Sequence, residues 1–230
     1  MSKVAWIIFG SVIVLVLGGL IAYSRLSNPS ANVSSIDVNN IIVASDQNGQ
    51  IADHTFGKTD GKVVLIEYGD FQCPSCGGAH PQIKTITEEY KDKILFIFRN
   101  FPLRAQHPNA LAAAAAVEAA GLQGKYWEMH NLVFESQQEW SPLAANERTS
   151  KFTEYAESIG LDKERFLTDI ASTPVSTKIS FDQAIGKKIN VNSTPTFYLN
   201  GKQLSVETSS SVVQGSTEQL KKEIDTLLGQ

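Results

Sequence analysis

Cys73-Pro74-Ser75-Cys76 is where residue type and spacing in this 230-residue sequence most directly suggest chemistry. Two thiols separated by two residues can close a small disulfide ring or supply half of a zinc site. They are the only cysteines in the chain, so no structural cross-link competes for either. A zinc site needs two further ligands, and His54, His80, His107 and His130 form no second pair. An apolar β-branched run precedes the pair and a helical pattern follows it. At such a strand-to-helix junction the free N–H groups and the helix dipole favour a thiolate on the first cysteine. Redox chemistry is the expected use. Cys73 is expected to be exposed, to have a lowered pKa and to act as the nucleophile. Cys76, one turn into the helix, is expected to be shielded and to resolve mixed disulfides. Pro74 suits the first helical turn, where its missing N–H is not needed. Ser75 supplies no cation, so the helix terminus is expected to provide most of the thiolate stabilisation.

Glu67 lies six residues before Cys73 inside an apolar run. Either it sits at the strand end and reaches water, or it is a buried acid with a raised pKa that relays the proton of Cys76. Ser193-Thr194-Pro195-Thr196-Phe197 places a proline at the entry to a strand, where the lost N–H requires an edge or a special turn. Pro81 is expected to kink the helix after the cysteines, and Gly77 and Gly78 to permit close packing there. His80 is near the thiols in sequence but is expected on the helix surface. His130, beside Trp127 and Met129, is expected to pack within a helical region. Asp70 and Gln72 are expected to shape the loop before the motif.

The elements that must hold these groups follow from pattern. Lys62 to Tyr68 and Ile94 to Phe98 are apolar runs of the kind found in strands buried on both faces. The stretch from Pro74 to about Tyr90 has helical spacing, which makes a βαβ unit with parallel strands. From Phe101 to about Ile189 the pattern is almost wholly helical; Leu111 to Ala120 (LAAAAAVEAA) has the strongest helix propensity. Thr196 to Leu199, an Asn200-Gly201 turn and Gln203 to Val206 read as a β-hairpin. Glu218 to Leu228 reads as an amphipathic helix. The expected fold is α/β: a thioredoxin-like domain over 46–230 with a helical insertion at about 103–189.

Val4 to Tyr23 carries no charge over about twenty positions, enough to span the ~30 Å hydrocarbon core. Trp6 and Tyr23 mark its ends, as interfacial aromatics do. Residues 1–24 therefore read as one N-terminal transmembrane helix, the alternative being a cleaved signal peptide; residues 25–45, rich in Ser and Asn, read as a flexible tether, the alternative being an ordered arm lying on the domain. Either reading exports the rest of the chain. The net charge of −4 and pI near 5.6 leave nothing to neutralise phosphates, which argues against a nucleic-acid partner.

Taken together, Asp53-His54 with Gly57, Glu67-Tyr68-Gly69-Asp70-Phe71-Gln72-Cys73-Pro74-Ser75-Cys76, Phe101-Pro102-Leu103, His107-Pro108-Asn109-Ala110 and Ser193-Thr194-Pro195-Thr196-Phe197 resemble the DsbA-like branch of the thioredoxin superfamily, in particular its membrane-anchored members of Gram-positive type. The resemblance implies a cis peptide at Thr194-Pro195 packed against the cysteines, with the Thr194 backbone pairing with substrate. It also implies a buried acid at Glu67. The implied activity is oxidation of exported, thiol-bearing proteins by the Cys73–Cys76 disulfide with no other cofactor, followed by reoxidation by a membrane quinone-linked thiol oxidase. The family's best-known members carry histidine at the position of Ser75, which leaves the oxidising strength open. The alternatives are an extracytoplasmic disulfide reductase or isomerase, and a non-catalytic membrane-tethered binding module; retention of Glu67, Pro195 and both thiols argues against the last.

Overall fold

A computed structural model describes residues 33–230 and, ahead of them, Trp6, Phe9, Gly10 and Val14. The strands are β1 (Thr55–Gly57), β2 (Val63–Gly69), β3 (Ile94–Asn100), β4 (Thr196–Leu199) and β5 (Lys202–Gln203), which form one sheet in the order β1-β3-β2-β4-β5. The helices are α1 (Pro74–Glu89), α2 (Ala110–Gly121), α3 (Tyr126–Glu135), α4 (Gln137–Trp140), α5 (Ala145–Ser158), α6 (Lys163–Ile170), α7 (Thr173–Lys188), α8 (Val206–Val213) and α9 (Glu218–Leu228).

The two apolar runs are central strands. β2 lies parallel to β3, with Glu67 opposite Phe98 and Gly69 opposite Asn100, and antiparallel to β4, with Glu67 opposite Phe197. Paired on both sides and covered on both faces, they leave no edge for water, which is why Val, Ile, Leu and Phe fill them. Side chains alternate across a strand. Glu67 therefore faces the cysteines, while the neighbouring Tyr68 faces the opposite layer with Arg99. The extra helices α2 to α7 enter between β3 and β4, so the architecture is a mixed α/β thioredoxin-like fold with added helices. Asn200 and Gly201 turn between β4 and β5 with φ of 48° and 76°, the left-handed pair a two-residue hairpin needs.

One expectation changes here. Val206 does not end a strand: β5 stops at Gln203 and Val206 begins α8, because the Ser205 side chain accepts from the Thr208 N–H at 3.0 Å and caps a helix. Pro81 lies inside α1, within the helix expected after the cysteines, which runs on to Glu89.

The expected membrane span lies outside the described residues apart from Trp6, Phe9, Gly10 and Val14. Among the described residues no helix is long and apolar enough to cross a membrane. From Val33 onward the segment expected as a flexible tether is instead bonded to the domain. Its attachment is a buried cation. The fully buried Arg99 donates to the carbonyls of Val38 and Asn40, to the Tyr68 hydroxyl at 3.0 Å and to Asp53 Oδ2 at 2.7 Å. The Ile42 N–H donates to the same Asp53 oxygen at 3.0 Å, and Lys188 Nζ donates to the carbonyls of Ser34 and Ile36, each at 2.9 Å. A buried guanidinium must have acceptors, and the arm's own carbonyls supply two of them.

The network runs on beyond Asp53. Lys178 Nζ lies 3.0 Å from Asp53 Oδ1 and 2.7 Å from Asp182 Oδ1. Asp182 Oδ2 accepts from Asn100, whose side-chain amide also donates to Glu118 Oε1 at 2.6 Å. Glu118 Oε2 is 2.9 Å from His54 Nε2. Removing one member leaves its partner charged, buried and unpaired. Arg99→Met is accordingly expected to lower the unfolding free energy by about 3–5 kcal/mol. This would be read as a shift of the denaturant midpoint at unchanged slope; a loss below about 1 kcal/mol would mean the arm is held by something else.

Candidate active site

Cys73 caps the N-terminus of α1 with extended backbone (φ −67°, ψ 122°), and Pro74 occupies the first helical position. The Cys73 N–H donates to the Asp70 carbonyl at 3.0 Å, and the Cys73 carbonyl accepts from the Gly77 N–H at 3.1 Å, the opening bond of the helix. Both cysteines are free thiols. Cys73 Sγ donates to the Thr194 carbonyl at 3.3 Å, across the cis peptide between Thr194 and Pro195. Cys76 is fully enclosed, and the Asp70 N–H donates to its sulfur at 3.5 Å. Glu67, on β2, faces the pair. Sequence-predicted Glu67, Cys73, Cys76, Thr194 and Pro195 thus share one site.

The two sulfurs differ in acidity for visible reasons. The Cys76 thiol, as donor, does most to hold the Cys73 thiolate; burial opposes this, and Thr194 and the backbone N–H groups of Cys76 and Ser75 add to it. The outcome is a Cys73 pKa of about 5. Burial pushes Cys76 well above its ordinary value, reinforced by its bond to Cys73 and by the charges of Glu67 and Cys73. Burial, then the Cys73 charge, pushes Glu67 up to about 8.

Several expectations are corrected. Cys73 is not exposed but 6% accessible, because the Thr194-Pro195 turn lies against it. Its thiolate is held first by the Cys76 thiol, and the helix-terminal N–H groups of Cys76 and Ser75 add to it. Of the two readings of Glu67, the buried acid holds: it sits mid-strand at 3% exposure. His80 is not on the surface. It is buried on α1 against Phe134 and His130, and burial lowers its pKa to about 4. His130 packs among Phe71, Phe98, Trp127 and Phe134, as its sequence setting suggests.

The loop before the cysteines is held by polar side chains whose partners are remote in sequence. Asp70 Oδ1 accepts from the Gln72 N–H at 2.8 Å; its Oδ2 accepts from the Leu103 N–H at 2.8 Å and lies 2.7 Å from His107 Nδ1. Gln72 Oε1 accepts from the Asn109 N–H at 2.6 Å, and its amide donates to the Ser141 carbonyl at 2.9 Å. Asn109 Nδ2 donates to the carbonyls of Ser141 and Leu143, both at 3.0 Å. These bonds give the Phe101-Pro102-Leu103 and His107-Pro108-Asn109 segments their purpose. Gln137, which no spacing pattern singles out, donates from Nε2 to the Phe71 and Cys73 carbonyls at 2.7 and 2.9 Å. Among the described residues no group of three or more His, Cys, Asp or Glu is placed to hold a metal.

This arrangement can exchange a disulfide through one acidic, reachable sulfur while a second, proton-retaining sulfur waits behind it. Since reactivity follows the thiolate, alkylation of reduced protein at Cys73 should be nearly pH-independent above about pH 6 and fall about tenfold per unit well below pH 5. A rate still rising through pH 8–9 would mean the thiol is not acidified. For Glu67 the folded pKa is raised, so between about 4.5 and 8 the folded state holds a proton the unfolded state has released. Stability from this group is thus lost as pH rises through that window. Glu67→Gln should remove a slope of at most about 1.4 kcal/mol per pH unit and stabilise the protein most at its alkaline end. Equal stability curves for both proteins over that range would place the carboxyl in water.

Comparison with known proteins agrees with this geometry. Residues 50–225 match the family described as thioredoxin. Among solved structures, BdbD from Bacillus subtilis (oxidised) superposes with a TM-score of 0.66 at 21% identity, over 83% of this chain and 100% of that one. The alpha-DsbA1 of Wolbachia pipientis gives 0.63 at 24% identity, over 77% and 91%. MdbA, a thiol-disulfide oxidoreductase from Corynebacterium diphtheriae, gives 0.59 at 19% identity, over 82% and 100%. These likenesses are of fold. In sequence, the chain is 39% identical over 153 residues to a protein named Na(+)/H(+) antiporter NhaA 1 from Mycolicibacterium vanbaalenii. A second of that name, from Salinispora arenicola, is 37% identical over 151 residues. The matches cover 65% and 66% of this chain but 23% and 22% of those proteins, so the chain spans less than a quarter of their length.

Proposed function

The chain belongs to the thioredoxin family, and from that membership together with its dithiol site we propose that it is a thiol–disulfide oxidoreductase that donates the Cys73–Cys76 disulfide to exported proteins. The observation that carries this reading is the contrast between the two sulfurs, one acidified to about 5 and the other pushed well above its ordinary value. A stabilised Cys73 thiolate favours the reduced enzyme, which makes the disulfide a stronger oxidant.

The chemistry then runs in two exchanges. A client thiolate attacks Cys73 Sγ in the disulfide; the S–S bond breaks and Cys76 leaves as a thiolate. Cys76 is the more basic sulfur, and Glu67, protonated at neutral pH, supplies its proton and recovers one from those the client thiols have released to solvent. The client's second thiolate attacks the client's first sulfur in the mixed disulfide, forming the client S–S bond and releasing Cys73 as the stable thiolate. The client dithiol has become a disulfide, the enzyme holds the two electrons, and the protons have gone to Cys76 and to solvent. The Thr194 backbone, whose carbonyl lies beside Cys73 ahead of the cis Pro195, binds the client strand during both steps. Reoxidation falls to a membrane quinone-linked thiol oxidase. Val4 to Tyr23 anchors the chain, with the catalytic domain outside the cytoplasm; Trp6, Phe9 and Val14, all largely exposed, suit a lipid-facing surface.

Two variants test this. Cys76→Ala removes the resolving sulfur and keeps the nucleophile, so reductant-sensitive mixed disulfides with exported, cysteine-bearing proteins should accumulate on non-reducing gels. Cys73→Ala should trap few or none. Equal trapping by both variants would overturn the division of roles. For the wild-type pair, equilibration with glutathione should give a potential more oxidising than thioredoxin's, about −270 mV. A value at or below that would make the protein a reductant.

A further inference from the structure

The site just described leaves one question open, namely what sets the pair's oxidising strength when Ser75 carries no charge. α4 is a four-residue helix in the helical insertion, and its first residue, Gln137, is buried although it belongs to no recognised motif. Both N–H bonds of its side-chain amide are spent on the cysteine turn, at the carbonyls of Phe71 and Cys73, 2.7 and 2.9 Å away. The Cys73 carbonyl also accepts the Gly77 N–H. It therefore carries two donors, one from α1 and one from a residue 64 positions later. The amide also covers the helix end directly: a Cβ on Gly77 would stand 2.5 Å from Gln137 Oε1.

We propose that Gln137 is a positioning residue through which the helical insertion sets the redox poise of Cys73 and Cys76; this rests on the oxidoreductase reading above. Its amide fixes the peptide that aims Cys73 Sγ at Cys76 and Thr194. It also places the positive end of a dipole against the carbonyl of the residue that bears the thiolate, in a site where water does not screen it. The disulfide form has no charge there to stabilise. The amide therefore favours the reduced form over the oxidised one, and that difference is what the potential reads.

Gln137→Met keeps the length of the side chain and removes both donors. It should raise the Cys73 pKa by about one unit and lower the equilibrium constant for oxidising glutathione about tenfold, or about 30 mV toward reducing. Gly77→Ala is the second variant. It favours the helix and leaves Gln137 in place, but its methyl displaces the end of that flexible side chain. It should shift both readings in the same direction, and this shift should vanish in the Gln137→Met background. Wild-type pKa and equilibrium constant in both variants would overturn the proposal. So would an equal loss of stability in dithiol and disulfide forms with the pKa unmoved, since that is all a merely structural residue would do. The pKa is read from thiolate absorbance without any exchange reaction. Failure of the oxidoreductase reading shows separately, as a wild-type protein that does not exchange with glutathione.

Discussion

One negative charge has to rest on Cys73 where little water reaches it, and most of the site can be understood as the means of holding it there. The nearest support is the Cys76 thiol, which can donate only while it stays protonated. Burial of Cys76 ensures that, and Glu67, facing it from β2, is buried with it. The thiolate, the retained proton and the neutral carboxyl are therefore one arrangement. Deprotonating Cys76 or Glu67 places a second negative charge against the first in a poorly screened space. The register of β2 serves this arrangement: a slip of one residue would turn Tyr68 toward the sulfurs and Glu67 toward Arg99.

The opposite face of the sheet solves a different problem. There the charges are fixed and paired: Asp53 with Arg99 and Lys178, and Asp182 with Lys178. β2 and β3 pass between the two layers, so adjacent residues serve a reactive face and a structural one. Buried ion pairs of this kind are weak evidence of net stability. Their visible result is specificity, because the chain on either side, from the arm at Val38 to α7, must arrive where the charges require it.

What was legible in the sequence was local. The cysteine spacing, the two buried strands, the Asn200-Gly201 turn and the odd carboxyl in an apolar run all carry their meaning within a few residues. The positions that sequence reasoning missed act at a distance. Gln137 sits in a polar stretch that resembles any exposed turn, and its partners lie 64 and 66 residues away. Arg99 completes an apolar strand and resembles its charged end, yet it orders an arm whose Ser- and Asn-rich composition suggests a free linker. His80 has the spacing of a surface residue only if nothing packs on α1 there; α3 does, through Phe134 and His130. Ser205 is the exception, a local cap obscured by the expectation that a hairpin's second strand would match the first in length.

Complete enclosure of Cys76 has a consequence for traffic. Any protein that exchanges electrons with this pair must enter through Cys73, whether it arrives to be oxidised or to restore the disulfide. Client and oxidant therefore share a single doorway and must take turns. A surplus of reduced clients can hold the door against the partner that recharges the enzyme, so flux depends on how promptly each visitor leaves as much as on how readily it arrives.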